Sequence, residues 1–136
     1  MNPAEIEVGQ EIPSFSRTTG FDVWNRFAAV NYEFVPIHMD NEAGKVAGHP
    51  GAIGMGRLQW SYLHNALENW LGERGRIVRV DAQFRALNLK GQTLTAKGKV
   101  KAVRTVNTDT FVDLDVWVEA DDGTVLAPGS ATVAVG

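Results

Sequence analysis

The hydrophobic period of this chain changes once, and that change limits the folds open to it. Over residues 20–72 the apolar residues recur at three- and four-residue steps; after Gly75 they recur at every second residue. Met55, Leu58, Tyr62, Ala66 and Trp70, widened by Leu63 and Leu67, predict one long apolar helix over residues 53–71, stopped at Gly72. Four strands follow. Val78, Val80, Ala82, Phe84 and Ala86 form the apolar side of the first, and Leu94, Ala96, Gly98, Val100 and Ala102 that of the second. Val112, Leu114, Val116 and Val118 mark the third. Val125, Ala127, Ala131, Val133 and Val135 mark the last, broken at Pro128-Gly129. Turn residues stand at 88–91, 107–109 and 121–123. One-sided alternation joined by short turns means an antiparallel sheet with one wet and one dry face. The dry face needs a cover, and the helix over 53–71 is the only candidate long enough. The fold class is therefore α+β, a curved antiparallel sheet wrapped around a central helix.

Ahead of that helix, residues 14–19 read as a short strand. Thr18 or Thr19 is placed to cap a helix over residues 20–31, with Val23, Phe27 and Val30 on one face. Pro36 biases Val35 towards extended geometry, and Asp40 or Asn41 caps a short helix ending near Gly48. No repeat, linker or low-complexity segment interrupts residues 1–136, which are expected to form a single domain. With 44% hydrophobic and 21% charged residues, disorder is not expected. A net charge of -3 weighs against nucleic acid as a partner. No apolar run approaches the roughly 20 residues of a membrane span, and no signal peptide is visible. The chain has no cysteine, which removes disulfides, thiolate nucleophiles and cysteine-held zinc together. A cytoplasmic location is expected.

The candidate chemistry lies at Glu33 and His38, five residues apart with Pro36 between them and apolar neighbours on both sides. Burying either group costs several kcal/mol unless it is paired or used, and such pairs gather at active sites. Two groups that hold one water and move its protons are sufficient to add water across a conjugated double bond. The sequence leaves open which of the two is the base. The bland reading makes Glu33 a capping or salt-bridging residue and His38 a satisfied core histidine. His49 and His64 have no carboxylate at ligand spacing, so no metal site is expected. Ser61 and Ser130 lack a nucleophile-elbow setting. The glycines at 51, 54 and 56 lack the Lys-Ser/Thr ending of a nucleotide loop. Lys97, Lys99, Lys101, Arg104, Arg79 and Arg85 read as the solvated face of the sheet, with phosphate contacts as the alternative.

Three blocks of sequence carry a resemblance. Phe27-Ala28-Ala29-Val30-Asn31-Tyr32-Glu33-Phe34-Val35-Pro36-Ile37-His38 resembles the pattern Phe-Ala-x-x-Ser-Gly-Asp-x-Asn-Pro-Ile-His of the MaoC-like, R-specific enoyl-CoA hydratases and dehydratases. Pro50-Gly51-Ala52-Ile53-Gly54-Met55-Gly56 is similar to that family's His-Gly-x-Leu-Thr-x-Gly. Phe84-Arg85-Ala86 followed by Gly91-Gln92-Thr93-Leu94 is similar to its Phe-Arg-x-Pro-x-x-x-Gly-Asp-Thr-Leu. The chain departs from the pattern at Tyr32 (glycine in the family), Glu33 (aspartate), Val35 (asparagine), Pro50 (histidine) and Gly54 (threonine). The resemblance implies a hotdog fold and a hydro-lyase that interconverts trans-2-enoyl-CoA and (R)-3-hydroxyacyl-CoA. It implies Glu33 and His38 as the water-activating pair and the Gly51 N–H as oxyanion donor. Substrate contacts are implied at Tyr32, Pro36, Asp40, Ile53, Gly54 and Arg85, although packing for Tyr32 and capping for Asp40 are the preferred readings. No cofactor is implied beyond the coenzyme A of the substrate. A homodimer or dimer of dimers is expected, with a heteromer of hotdog subunits as the alternative. Two other functions stay open. One is an acyl-CoA thioesterase, for which Glu68 is the only carboxylate within the long helix; the other is a non-catalytic acyl-CoA-binding subunit, motivated by Tyr32 and Val35.

Overall fold

The computed structural model describes residues 3–136. Its strands are β1 (Phe15–Thr18), β2 (Gly75–Ala82), β3 (Thr93–Val106), β4 (Asp109–Ala120) and β5 (Val125–Val135). They form one antiparallel sheet in the order β1-β3-β4-β5-β2. The helices are α1 (Phe21–Asn31), α2 (Asn41–Val46) and α3 (Gly56–Leu71). α3 touches all five strands and fills the concave side of the sheet, while α1 and α2 lie in the excursion that leads to it. Leu63 and Leu67 of α3 are buried in one core with Leu94, Val112, Leu114, Val118, Leu126 and Val133 of the strands. Each such side chain contributes about 1.5–3 kcal/mol by leaving water. Gly72 ends α3 with a positive φ of 59°, as its position predicts.

The alternation holds along β3 and β4, where Leu94, Ala96, Val100, Val112, Leu114, Val116 and Val118 are all buried. It fails at the start of β2. A register shift between Ile77 and Arg79 turns Ile77 inward in place of Val78, while Val80 and Ala82 face inward as expected; Phe84, beyond the end of β2, is exposed. β5 is continuous through Pro128 rather than broken there. The Pro128 carbonyl accepts from the Gln83 N–H just past the end of β2, and Pro128 stands opposite Trp117 of β4. Its missing donor thus faces a margin where β2 runs out, which is where a sheet tolerates proline.

Two features of α1 also differ from the sequence expectation. Gly20, not a threonine, is the N-cap residue, and Thr19 is instead buried beneath the β3 turn with its hydroxyl donating to the Gln92 carbonyl at 3.0 Å. The buried side of α1 carries Trp24 and Ala28; Val30 is exposed. α2 is capped as expected, with the Asp40 carboxylate accepting from the Glu42 and Ala43 N–H groups.

The wet face of the sheet is laced with charge pairs. Lys97 meets Glu119 at 2.9 Å, Arg79 pairs with Asp81, and Arg104 donates to Asp113 at 3.1 and 3.3 Å. Asp113 also accepts from the Thr132 hydroxyl at 2.7 Å. The Arg104 bonds and then the Thr132 bond hold its carboxyl below the usual carboxylate range. A carboxyl lowered in the folded state stabilises the protein above its unfolded pKa of about 3.9, and that contribution fades as pH falls through the folded value. Asp113→Asn is therefore expected to melt lower than the wild type at pH 7. The difference should hold down to about pH 5 and shrink in melts taken at pH 3 and pH 2, and a constant difference would contradict the assignment.

Candidate active site

α1 ends at Tyr32, whose φ of 54° is left-handed; the Tyr32 and Glu33 N–H groups both return to the Ala28 carbonyl. This geometry explains a glycine at the same place in the pattern, because only glycine takes it without strain. Val35 is extended ahead of Pro36, as expected, and a single 3-10 turn over Pro36–His38 carries the histidine into the protein.

His38 is buried, and its Nδ1 lies 2.7 Å from the Ile53 carbonyl oxygen. A carbonyl only accepts, so Nδ1 carries a proton, and the tautomer this selects has its lone pair at Nε2. The Ile53 N–H in turn donates to the Ile37 carbonyl at 2.9 Å, and the Gly54 N–H to the Asn88 carbonyl at 2.8 Å. Residues 53–54 are thereby stitched to the histidine turn on one side and to the β3 approach on the other.

A crevice of about 290 Å³ opens beside His38, lined by Ile53, Gly54, Gly56, Gln59 and Phe84, with Arg85, Ala86, Leu87 and Asn88 completing its wall. Gly56 is the first residue of α3, so its N–H has no acceptor within the helix, and the positive end of the helix dipole meets the crevice. Asn88 is fully buried and its amide is satisfied: Oδ1 accepts from the Trp24 indole N–H at 3.2 Å, and Nδ2 donates to Thr19 Oγ1 at 2.8 Å. Arg85 is turned back onto Gln83, donating to its Oε1 at 2.6 and 3.1 Å. Two buried side-chain oxygens have no hydrogen-bond partner among the described residues: Oε2 of Glu33 and Oε1 of Gln59.

Residues 5–121 match the family model of the MaoC like domain. The chain belongs to the MaoC-like family. Solved structures with the same fold include an (R)-hydratase from A. caviae involved in PHA biosynthesis, 24% identical with a TM-score of 0.88 over 97% of this chain and 98% of that one. R-hydratase PhaJ1 from Pseudomonas aeruginosa is 21% identical with a TM-score of 0.88 over 98% and 84% of the two chains. The ChsH1-ChsH2 complex from Mycobacterium tuberculosis is 15% identical with a TM-score of 0.85 over 96% and 98%. At these identities the likeness establishes the fold, which is the hotdog fold expected from the sequence. Comparison with the curated proteins found no match.

Within this MaoC-like domain the residues singled out in the sequence divide. His38, Ile53, Gly54 and Arg85 come together at the crevice. Gly51 does not: Met55 is the N-cap residue of α3, and Gly51 lies earlier, with its carbonyl pressed against Gly44 of α2 so closely that a side chain at Gly44 would overlap it. Glu33 is half-buried, and no hydrogen bond or ion pair joins it to His38 among the described residues. Phe34 and Val35, the apolar neighbours of the pair, are exposed; Tyr32 and Pro36 are exposed as well, and Asp40 serves as the cap of α2. The histidine tautomer is fixed by a backbone carbonyl and not by a carboxylate. Gln59 was missed in the sequence. Its position, four residues from both Met55 and Leu63 on the apolar stripe, was the available signal.

A larger groove of about 700 Å³ runs between α3 and β2 and holds Trp60, His64 and Glu68. His64 Nδ1 lies 2.9 Å from the Trp60 carbonyl one turn earlier. Glu68 thus lines a different groove from His38. Among the described residues, no three His, Asp or Glu side chains converge as metal ligands, and no helix is long and apolar enough to cross a membrane.

Proposed function

We propose that the domain is a hydro-lyase that adds water reversibly to a trans-2-enoyl-CoA thioester, giving the (R)-3-hydroxyacyl thioester. The observation that carries this reading is the His38–Ile53 bond, which leaves Nε2 as the open acceptor of a buried imidazole bordering an apolar crevice. In the proposed step, Nε2 takes a proton from water as the water oxygen bonds C3. The electron pair of the double bond moves towards the thioester oxygen, where the N–H groups of the first turn of α3, beginning at Gly56, meet the developing charge. The imidazolium stays bonded to Ile53 and returns its proton to C2. Glu33, whose Oε2 lacks a donor, holds the second hydrogen of the water. The Gly54 N–H is already engaged by Asn88, and Gly51 does not line the crevice, which favours the helix terminus over either as oxyanion donor. Coenzyme A enters only as part of the substrate.

The test is a panel of enoyl-CoA thioesters followed by loss of the conjugated absorbance. Glu33→Gln is expected to lower kcat about a hundredfold; a rate equal to wild type would remove Glu33 from the mechanism. Free thiol released from saturated acyl-CoA, without hydration of any enoyl-CoA, would instead favour the thioesterase reading. The ChsH1-ChsH2 complex motivates a partner of the same fold for this chain, either a second copy or a related subunit. Binding without turnover by the isolated chain, and turnover once the partner is added, would assign it the role of an accessory subunit.

A further inference from the structure

We infer that Gln59 selects acyl groups that carry a hydroxyl beyond the reacting double bond, an inference that rests on the reading of the His38 crevice as the acyl site. Gln59 is 2% exposed on the first turns of α3, lines the crevice with His38, and has no hydrogen-bond partner for its Oε1 among the described residues. The other polar side chains of the wall are occupied: Asn88 by Trp24 and Thr19, Arg85 by Gln83. In the proposed step the two hydrogens of the reacting water go to His38 and Glu33, so that water leaves Gln59 without a donor. Gln59 is a third acceptor. A plain alkyl chain leaves it unpaired, whereas a polar group on the chain supplies the missing hydrogen bond, and a site of this kind favours the substrate that carries the polar group over the analogue that lacks it. A hydroxyl both donates and accepts, so it satisfies the amide whichever end faces the ligand. The crevice of about 290 Å³ has the volume of about ten liquid waters, enough for a short acyl group and its hydroxyl.

The experiment compares crotonyl-CoA with 4-hydroxycrotonyl-CoA, whose trans double bond prevents ring closure, on the wild type and on Gln59→Leu and Gln59→Met. Hydration gives kcat/KM, and calorimetry in a His38→Gln background gives affinity for the unreacted thioesters. Wild type is expected to favour the hydroxylated thioester by about tenfold or more in both measurements, and the two variants to reduce that ratio to about one or below. Gln59→Leu is expected to melt at or above the wild-type temperature, because it removes an unsatisfied buried amide. Equal preference in wild type, a preference that survives in both variants, or a melting temperature several degrees lower in Gln59→Leu each overturns the inference. Binding of both thioesters without preference defeats this inference alone. Failure of wild type to bind either one defeats the acyl-thioester reading as well.

Discussion

His38→Ala is expected to lower kcat for enoyl-CoA hydration by about a hundredfold to ten-thousandfold, the range that a positioned acid–base group supplies. The variant also loses the 2.7 Å bond to the Ile53 carbonyl, and an acceptor left unpaired in a buried setting costs about 1–3 kcal/mol. Loss of rate and loss of structure therefore need separating. His38→Gln does this, since its side-chain amide retains a donor for Ile53 but no basic nitrogen. Both variants should show this loss of rate while His38→Gln keeps the greater part of the wild-type stability. Turnover within fivefold of wild type in either variant would remove His38 as the base.

Gly54→Ala should be the most damaging small substitution near the crevice. An added Cβ there would overlap the Asn88 side-chain oxygen and come within 2.8 Å of the Trp24 indole nitrogen. Both atoms belong to a buried network in which Trp24 is 0% exposed and Asn88 joins α1 to the β3 turn through Thr19. Overpacking costs about 1–3 kcal/mol and each severed buried hydrogen bond a similar amount, giving about 3–5 kcal/mol in total. For a domain of this size that lowers Tm by about 10–20 °C. Hydration should fall with it, because Gly54 lines the crevice. Gly51→Ala is the control: its Cβ would stand 3.1 Å from Asn41 Oδ1 and clear of that network. A Tm for Gly54→Ala within 3 °C of wild type would contradict the packing described here.

Long regular periods made the scaffold legible. α3 shows its stripe over four turns, and β3 and β4 alternate without error over the residues that face the helix. What escaped was local and geometric. Nothing in the residues around Ile77 announces the bulge that turns Val78 outward, since the hydrophobic pattern there reads equally well in either phase. Pro128 looks like a strand breaker until its neighbour is known to have ended. Thr19 looks like a cap because threonine usually is one beside a helix start, whereas here Asn88, far along the chain, claims its hydroxyl. In the site, His38 was legible from its motif. Its partner was not, because a backbone carbonyl carries no residue-type signal. Gly51 seemed a helix-start donor because α3 was expected to begin at residue 53; the extra turn of extended chain moves the helix terminus to Gly56. Gln59 hid as the one polar side chain inside an otherwise apolar stripe.

The two backbone bonds at Ile53 have a further consequence. One fastens its N–H to Ile37 and the other fastens its carbonyl to the imidazole of the next residue, so they close residues 39–52 into a loop gathered at its neck. Doubling the length of such a loop costs only about 0.6 kcal/mol in closure entropy. The exposed tip that follows α2, about residues 46–49, is thereby free to lengthen or change its sequence without shifting the ring that the neck holds in register.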